Sequence, residues 1–469
     1  MKRLLKNIVV TLLISSFTIV FANSGPVYWQ GYPSSDIMTV DKNSPIEINN
    51  EKLTFDFSDE DRDSFSVTAK VTAEYEMINP TNETQRVQMA FPFVERLDNL
   101  NYDDIKITAD GKELPYEFYI GKAVDNYESS FEETKEKNFD FDEIINTISH
   151  DIYKANSFNA DEIGKLYYIE IKPATDAGIE FAVDFSYDQE KTNILIKNFN
   201  SFNISDEKIR IASDCFEPQI AEIYVLREDI DFNINGYTIG SSKEETNLFT
   251  YEIFEKEVDV KTYLLDYIKS YYRDNFEHIS DIQLYNIYAN ALDRYFINNL
   301  GFCSEHDIFS ESGHERIITL VYTVEFLPAS EHKVSVSYLT RGTMDKRNTV
   351  KPQYLYDYIL NPAENWNKFN NLNIKIITPP EASYIVDSSI ELNKEEGNIY
   401  TAALENLPED DLSFTLYSRE KVTMLDKIEG RVNRSFGYFA PIVIGIIVIL
   451  VMILGIAIVS KLKRKRSKN

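Results

Sequence analysis

Cys303, Glu305, His306, Asp307, Glu311, His314 and Glu315 crowd into thirteen consecutive positions. Two imidazoles, a thiol and several carboxylates form a donor set suited to a divalent transition metal such as zinc, with Cys303, His306 and His314 as its nitrogen and sulfur ligands. The spacing matches no zinc pattern, and a polar loop between a helix and a strand explains the same residues. A second acidic run, Asp56, Asp59, Glu60, Asp61 and Asp63, sets carboxylates at alternate positions. Asp59, Asp61 and Asp63 would suit calcium, which seeks oxygen ligands. A hand-type loop opening at Asp59 needs glycine at its sixth position, where Ser64 stands, and its twelfth position is Lys70. A solvated acidic turn is therefore the competing reading. Cys215 and Cys303 are the two cysteines; they are either a disulfide in an oxidising compartment or two separate buried thiols.

Other chemistry is missing from the pattern. The chain has no phosphate loop, dinucleotide fingerprint, His-Glu-x-x-His or Gly-x-Ser-x-Gly elbow. Paired carboxylates for glycoside hydrolysis cannot be chosen among 76 acidic residues without geometry. With 48 basic residues and a net charge of -28 over 469 residues, nucleic acid is excluded as a partner, because it requires a basic surface. Aromatic residues make up 13 % and apolar residues 43 %, which separates the chain from disordered acidic proteins.

Elements that could position these residues are mostly strands. From Phe65 to Met77 every second residue is apolar, which predicts a long half-buried antiparallel strand. A turn at Asn79-Pro80 follows, and Val87, Met89, Phe91 and Phe93 resume the alternation. Asp110-Gly111 predicts a hairpin. A charged stretch, 122–165, reads as an insertion with a helix opening at Asp140 and Glu143 and running through Ile144, Ile145, Ile148 and Ile152. Strands return at 166–171, 179–187, 194–196 and 209–211. Val260, Tyr263, Leu264, Tyr267 and Ile268 share one helical face, and a second helix starts at Ser280 with Gln283 in capping-box position and Gly301 as its C-terminal cap. From 315 to 418 strands dominate again. There, Val324-Glu325-Phe326-Leu327-Pro328 parallels Tyr75-Glu76-Met77-Ile78-Asn79-Pro80, the mark of a duplicated module or of any two long hairpins. Trp366, after Pro362-Ala363, is an expected aromatic anchor.

The expected fold is mainly β, with two antiparallel β-sandwich-like blocks, helical insertions, a helical pair between them and one C-terminal transmembrane helix. Its boundaries are a signal peptide 1–22, a first β block 23–255, the helical pair 256–301, a second β block 302–418, a tether 419–437, the span 438–460 and a basic tail 461–469. Lys2, Arg3 and Lys6 precede an apolar run ending at Ala22, the pattern of a cleaved secretory signal. Phe439 to Val459 carries no charge, a length that matches a hydrocarbon core of roughly 30 Å. Lys461, Lys463, Arg464, Lys465, Arg466 and Lys468 follow it and place that side in the cytoplasm. Three cations and no acid lie in 1–22, and six cations and no acid in 438–469, so the stretch between stands at -37. That excess favours divalent or cationic partners over anionic ones.

The leader, the span and the basic tail without a wall-sorting motif resemble single-span surface proteins of low-GC, clostridium-like Gram-positive bacteria. So do Asn23-Ser24-Gly25-Pro26 before Trp29, and Ala90-Phe91-Pro92-Phe93. The resemblance implies an ectodomain outside the cell membrane, and brings no activity with it. The expected function is a membrane-anchored extracellular binding or scaffold protein. Its partners would be the bilayer, through the C-terminal helix, and an extracellular or membrane protein. The alternative is a hydrolase using carboxylates or a divalent cation, calcium or zinc. A sensor signalling inward is disfavoured by a tail of a few basic residues.

Overall fold

The computed structural model describes residues 28–457 apart from 30, 42, 59–65, 98–99, 101, 125–143, 146, 206–207, 272–278, 361, 364–365, 437–438, 440–441, 443–444, 448 and 454. The leader 1–22, the basic tail and Asp59, Asp61 and Asp63 thus lie outside the described residues.

The chain up to the helices forms β1 (Glu47–Asp56), β2 (Thr68–Ile78), β3 (Gln85–Arg96), β4 (Lys106–Ala109), β5 (Glu117–Ala123), β6 (Ile163–Pro173), β7 (Ile179–Ser186), β8 (Thr192–Lys197), β9 (Lys208–Cys215), β10 (Gln219–Arg227) and β11 (Phe249–Asp259). Helices α1 (Val260–Tyr271), α2 (Asp281–Asn298) and the short α3 (Glu305–Phe309) follow. Then come β12 (Glu315–Phe326), β13 (Glu331–Arg341), β14 (Gln353–Ile359), β15 (Leu372–Ile377), β16 (Ile399–Leu404), β17 (Leu412–Tyr417) and α4 (Met424–Phe436).

The strands are shared out differently from two consecutive blocks. One sheet has the order β16-β15-β1-β2-β13-β4, and a second has Met38–Thr39, β3, β12 and β5. A third joins Thr343–Asp345, β14 and β17. Each of the first two sheets therefore combines strands from 47–123 with strands from 315–404. All three contribute to one apolar core containing Val71, Tyr75, Phe91, Leu320, Val336, Ile374 and Phe414. Between β5 and β12, which are hydrogen-bonded neighbours, the chain inserts a second sandwich. There β11-β6-β10-β8 faces the sheet containing β9 and β7 across a core of isoleucines such as Ile169, Ile194, Ile211 and Ile223. Pairing is antiparallel except at a few places, among them β15 on β1 and Phe302–Cys303 on β8.

The alternation that predicts β2 holds: Ala69, Val71, Ala73, Tyr75 and Met77 are all buried. A one-residue slip would turn this whole set to solvent, so the register is tightly specified. Its partner differs from a hairpin, however. β2 pairs with β1 and β13, while β3 pairs with β12, so β2-turn-β3 and β12-turn-β13 are two arches that each cross between sheets. The arches occupy matching places, since β2 on β13 in one sheet corresponds to β12 on β3 in the other. Their turns clasp each other through Asn79. Its side chain donates to the Phe326 and Leu327 carbonyls at 3.2 and 2.9 Å, and its backbone N–H to Ser330 at 2.9 Å.

Both long helices form as their periodicity requires, with Val260, Tyr263, Leu264, Tyr267 and Ile268 buried on α1. Ser280 caps α2 by accepting from the Gln283 N–H at 3.4 Å. Gln283 does not close the capping box, because its amide is used across the fold, as described below. Gly301 adopts φ +81° just past the helix, where an added Cβ would fall 2.4 Å from the Thr192 carbonyl. The helix expected through Ile152 ends early. Ile144 and Ile145 are helical, but Ser149 to Ala155 is a loop, held open by hydrogen bonds to α2. The stretch expected as a tether contains α4. Asp110-Gly111 turns the chain as expected, with φ 49° and 76°.

Among the described residues no helix is long and apolar enough to cross a membrane. The described positions within 442–457 are helical.

Candidate functional site

Arg316 begins the inward alternation of β12, followed on the same face by the buried Ile318 and Leu320. This places a guanidinium inside the protein, 7 % exposed. Glu311, from the turn after α3, meets it and is 1 % exposed; the same carboxylate also binds Arg294 of α2. A buried carboxylate needs such partners, since desolvation otherwise costs more than a single attraction returns. Burial pulls the Arg316 pKa down, and the Glu311 charge works against that. The Arg316 Nε has no hydrogen-bond partner.

These side chains line a cleft of about 870 Å³ between β5, α2 and the Ser310–Gly313 turn. Its walls come from four separated stretches and are fixed by polar contacts. Gln283 accepts from the Ile120 N–H of β5 at 3.1 Å and donates to the Ser149 carbonyl at 3.1 Å. Asn286 accepts from the Tyr153 N–H at 2.7 Å and donates to the Asp151 carbonyl at 2.8 Å. Below them the buried Asp293 accepts from the backbone N–H groups of Asn156 and Ser157 at 2.9 and 2.8 Å, and from the Tyr153 hydroxyl at 3.0 Å. Burial would raise the Asp293 pKa, but these hydrogen bonds outweigh it and hold it below the ordinary value. The cleft also presents Asn290, Lys122, His314 and Glu315. Its cations outnumber its carboxylates within a strongly acidic chain. Such a wall can orient and bind a small ligand through an anionic or acceptor group.

The residues expected to ligate zinc are distributed instead of gathered. His314 lies in this cleft, with Nδ1 3.5 Å from a Glu311 oxygen. His306 is exposed and lines a separate groove with Phe199, Tyr271 and Phe309. Asp307 is spent capping α3, accepting from Ser304 N and Oγ at 2.9 and 2.7 Å. Glu305 accepts from the Asn198 N–H at 2.7 Å. Cys303 is fully buried, and burial together with nearby Asp307 and Glu311 pushes its pKa well up, away from the thiolate that binds metals. Among the described residues no group of three or more His, Cys, Asp and Glu side chains could hold a metal ion. Of the two readings of the cysteines, the structure has the separate thiols and no disulfide. Cys215 and Cys303 are both free and buried, one in each of the two cores. Trp366 is the expected anchor, buried with its indole N–H donating to the Ile37 carbonyl at 3.3 Å.

A second concentration of titratable groups has no sequence signature. Between Ser34–Ser35 on β14 and Met38–Thr39 on β3 the chain crosses from one sheet to another, and Asp36 points into the core there. Asp36 and Glu51 are both 0 % exposed. Asp36 accepts from the Tyr75 hydroxyl, and from the Ile37 N–H at 2.7 Å. Burial raises both carboxyl pKa values; the Tyr75 and Ile37 donors pull Asp36 back down, and the Asp36 charge raises Glu51 further. Glu51 is thus the more strongly raised member of an enclosed acid pair, with Tyr75, Tyr322, Tyr338 and Tyr358 close to it.

Comparison with known proteins adds little. No family model matches the chain, and no curated protein matches it. Among solved structures, one from Legionella pneumophila, described as a putative nutrient binding protein, aligns over 84 % of this chain and 73 % of its own at 10 % identity, with a TM-score of 0.31.

Proposed function

We propose that this protein is an ectodomain held at the outer face of a cell membrane that binds a small ligand carrying an anionic or strongly accepting group. The cleft between β5, α2 and the Ser310–Gly313 turn carries this reading, because Arg316 is buried there with an unpartnered Nε. The leader pattern at 1–22 and the uncharged run 439–459 with its basic flank support membrane anchoring. They also agree with the resemblance to single-span surface proteins of Gram-positive bacteria. A binding role fits better than hydrolysis, because His306 and His314 open onto different crevices.

A thermal-shift and calorimetric screen of the detergent-solubilised full chain tests the cleft, using inorganic phosphate, acetate, succinate and citrate as probes. A probe at a hundredfold its Kd should stabilise the fold by about 2.7 kcal/mol. Arg294→Gln, a substitution on a half-exposed side chain, should weaken that probe at least tenfold without abolishing folding. Absence of any shift across the panel, or binding unaffected by Arg294→Gln, would remove this site from the reading.

A further inference from the structure

Helix α4 is fastened to the ectodomain by one face only. Thr423 and Asp426 cap each other, with the Asp426 N–H donating to Thr423 Oγ1 at 3.2 Å and the Thr423 N–H to Asp426 Oδ2 at 2.9 Å. Arg419 pairs with the same carboxylate. One turn on, Gly430 lies against the Asn348–Thr349 backbone so closely that a Cβ would stand 2.4 Å from Asn348. At 3.6 residues per turn, Asp426 and Gly430 share the side of the helix that meets the protein.

Met424, Leu425, Ile428, Val432 and Phe436 fall within about a third of the circumference, roughly opposite that side. Met424 is 80 % exposed, Leu425 69 %, and Ile428 and Phe436 about half. Lys427, Arg431 and Arg434 flank the stripe on one side, and Glu429 borders it on the other. An apolar stripe with a cationic flank, turned away from the protein that holds it, is the pattern of a helix lying in a membrane interface. The next described helical positions, including Ile446, Leu450, Val451 and Ile453, also expose their apolar side chains.

We infer that α4 lies flat in the outer headgroup layer of an anionic bilayer, its apolar stripe in the acyl boundary and its cations at the lipid phosphates. This rests on the proposed anchoring at 438–460. It adds a contact of Gly430 on Asn348–Thr349, with the helix start held by Asp426 to Thr423 and Arg419, that sets how the ectodomain stands on the membrane. The cationic flank also offsets the repulsion expected between a chain segment of net charge -37 and anionic lipid.

Nitroxide labels at Leu425→Cys, Ile428→Cys, Leu450→Cys and Glu396→Cys, each in the full chain, test this in nanodiscs of phosphatidylglycerol and phosphatidylcholine. Unsubstituted protein serves as the blank, because Cys215 and Cys303 are buried. The ratio of oxygen to nickel-chelate accessibility should be about tenfold higher at 425, 428 and 450 than at 396. It should fall at 425 and 428 when phosphatidylglycerol is omitted. A ratio at 425 and 428 equal to that at 396, with 450 still high, would overturn the interfacial helix and leave the anchor standing. An aqueous ratio at 450 as well would overturn the anchoring reading and this inference with it. Indifference of 425 and 428 to lipid charge would overturn the role of the cations.

Discussion

Two buried acids, Asp36 and Glu51, set the pH response at the scale of single residues. Their pKa values are raised by burial, so the folded state holds protons that the unfolded chain has already lost above pH 3.8. The pair's contribution is fully present below that unfolded value and is lost as pH rises through the raised folded value. Stability measured by urea unfolding should therefore fall as pH rises from about 4 through about 7, the raised Asp36 value. Asp36→Asn and Glu51→Gln, which keep the shapes and remove the ionisation, should flatten that fall. Asp357, whose carboxyl is also raised by desolvation, adds a smaller slope of the same sign that both variants retain. Asp184, Asp229 and Asp293 are held below their ordinary values and act only under acid conditions. A flat wild-type profile would exclude a proton-sharing pair. The buried Glu311 makes a different prediction. Glu311→Gln leaves the Arg316 charge without its counter-ion and should cost about 3–5 kcal/mol in the same assay. Surface pairs such as Lys191 with Asp188 are solvent-screened, and removing one should leave stability almost unchanged.

At the scale of elements, the clasp between the two arches concentrates long-range order in Asn79, which is fully buried. Asn79→Ala strands the carbonyls of Phe326 and Leu327. It should cost about 1–3 kcal/mol and accelerate hydrogen exchange in both turns together, at 79–83 and 327–330. Exchange rising in one turn alone would mean that the arches are not coupled through this residue. Strand positions were legible wherever one face is wet: β2 and β13 alternate plainly. β10 was not, because it is nearly continuously apolar at the centre of its sheet, nor was β11, whose Tyr251, Ile253 and Phe254 are exposed at an edge. Pairing was not legible at all. An alternating strand followed by a proline turn has the same pattern whether it returns as a hairpin or crosses to another sheet. The metal expectation at 303–315 misread local polarity, since Asp307 caps a helix and Glu311 neutralises arginines brought from elsewhere.

For the whole molecule, the decisive feature is that residues 315–417 complete sheets begun by 47–123, with the 163–303 sandwich inserted between them. The main core cannot close until the last strands arrive, so a chain ending before β12 should lose the unfolding transition of the main core and keep only that of the inserted sandwich. Each core also contains one reporter thiol. Alkylation should modify neither cysteine in the native protein and both after denaturation, and a reductant should leave Tm unchanged. One native-state reaction, or a Tm that falls on reduction, would contradict two separate buried thiols. The cleft follows from the same topology. Its walls join β5, which precedes the insertion, to α2 within it and to the Ser310–Gly313 turn and Arg316, which follow it, and no short window along the sequence contains them together.

Read without coordinates, the sequence determined what depends on local periodicity and composition. These are a mainly β chain, the faces of β2, α1 and α2, the Ser280 cap, the Asp110-Gly111 turn, and the uncharged run with its basic flank. Only the tertiary structure decided which strands are neighbours, where Arg316 and Glu311 meet, that Asp36 faces Glu51, and that the cysteines sit in different cores. The reason is physical: period and turn chemistry act over a few residues and are written in adjacent side chains. Strand pairing and the burial of charge are settled by contacts between segments hundreds of residues apart, whose free energy no single segment contains.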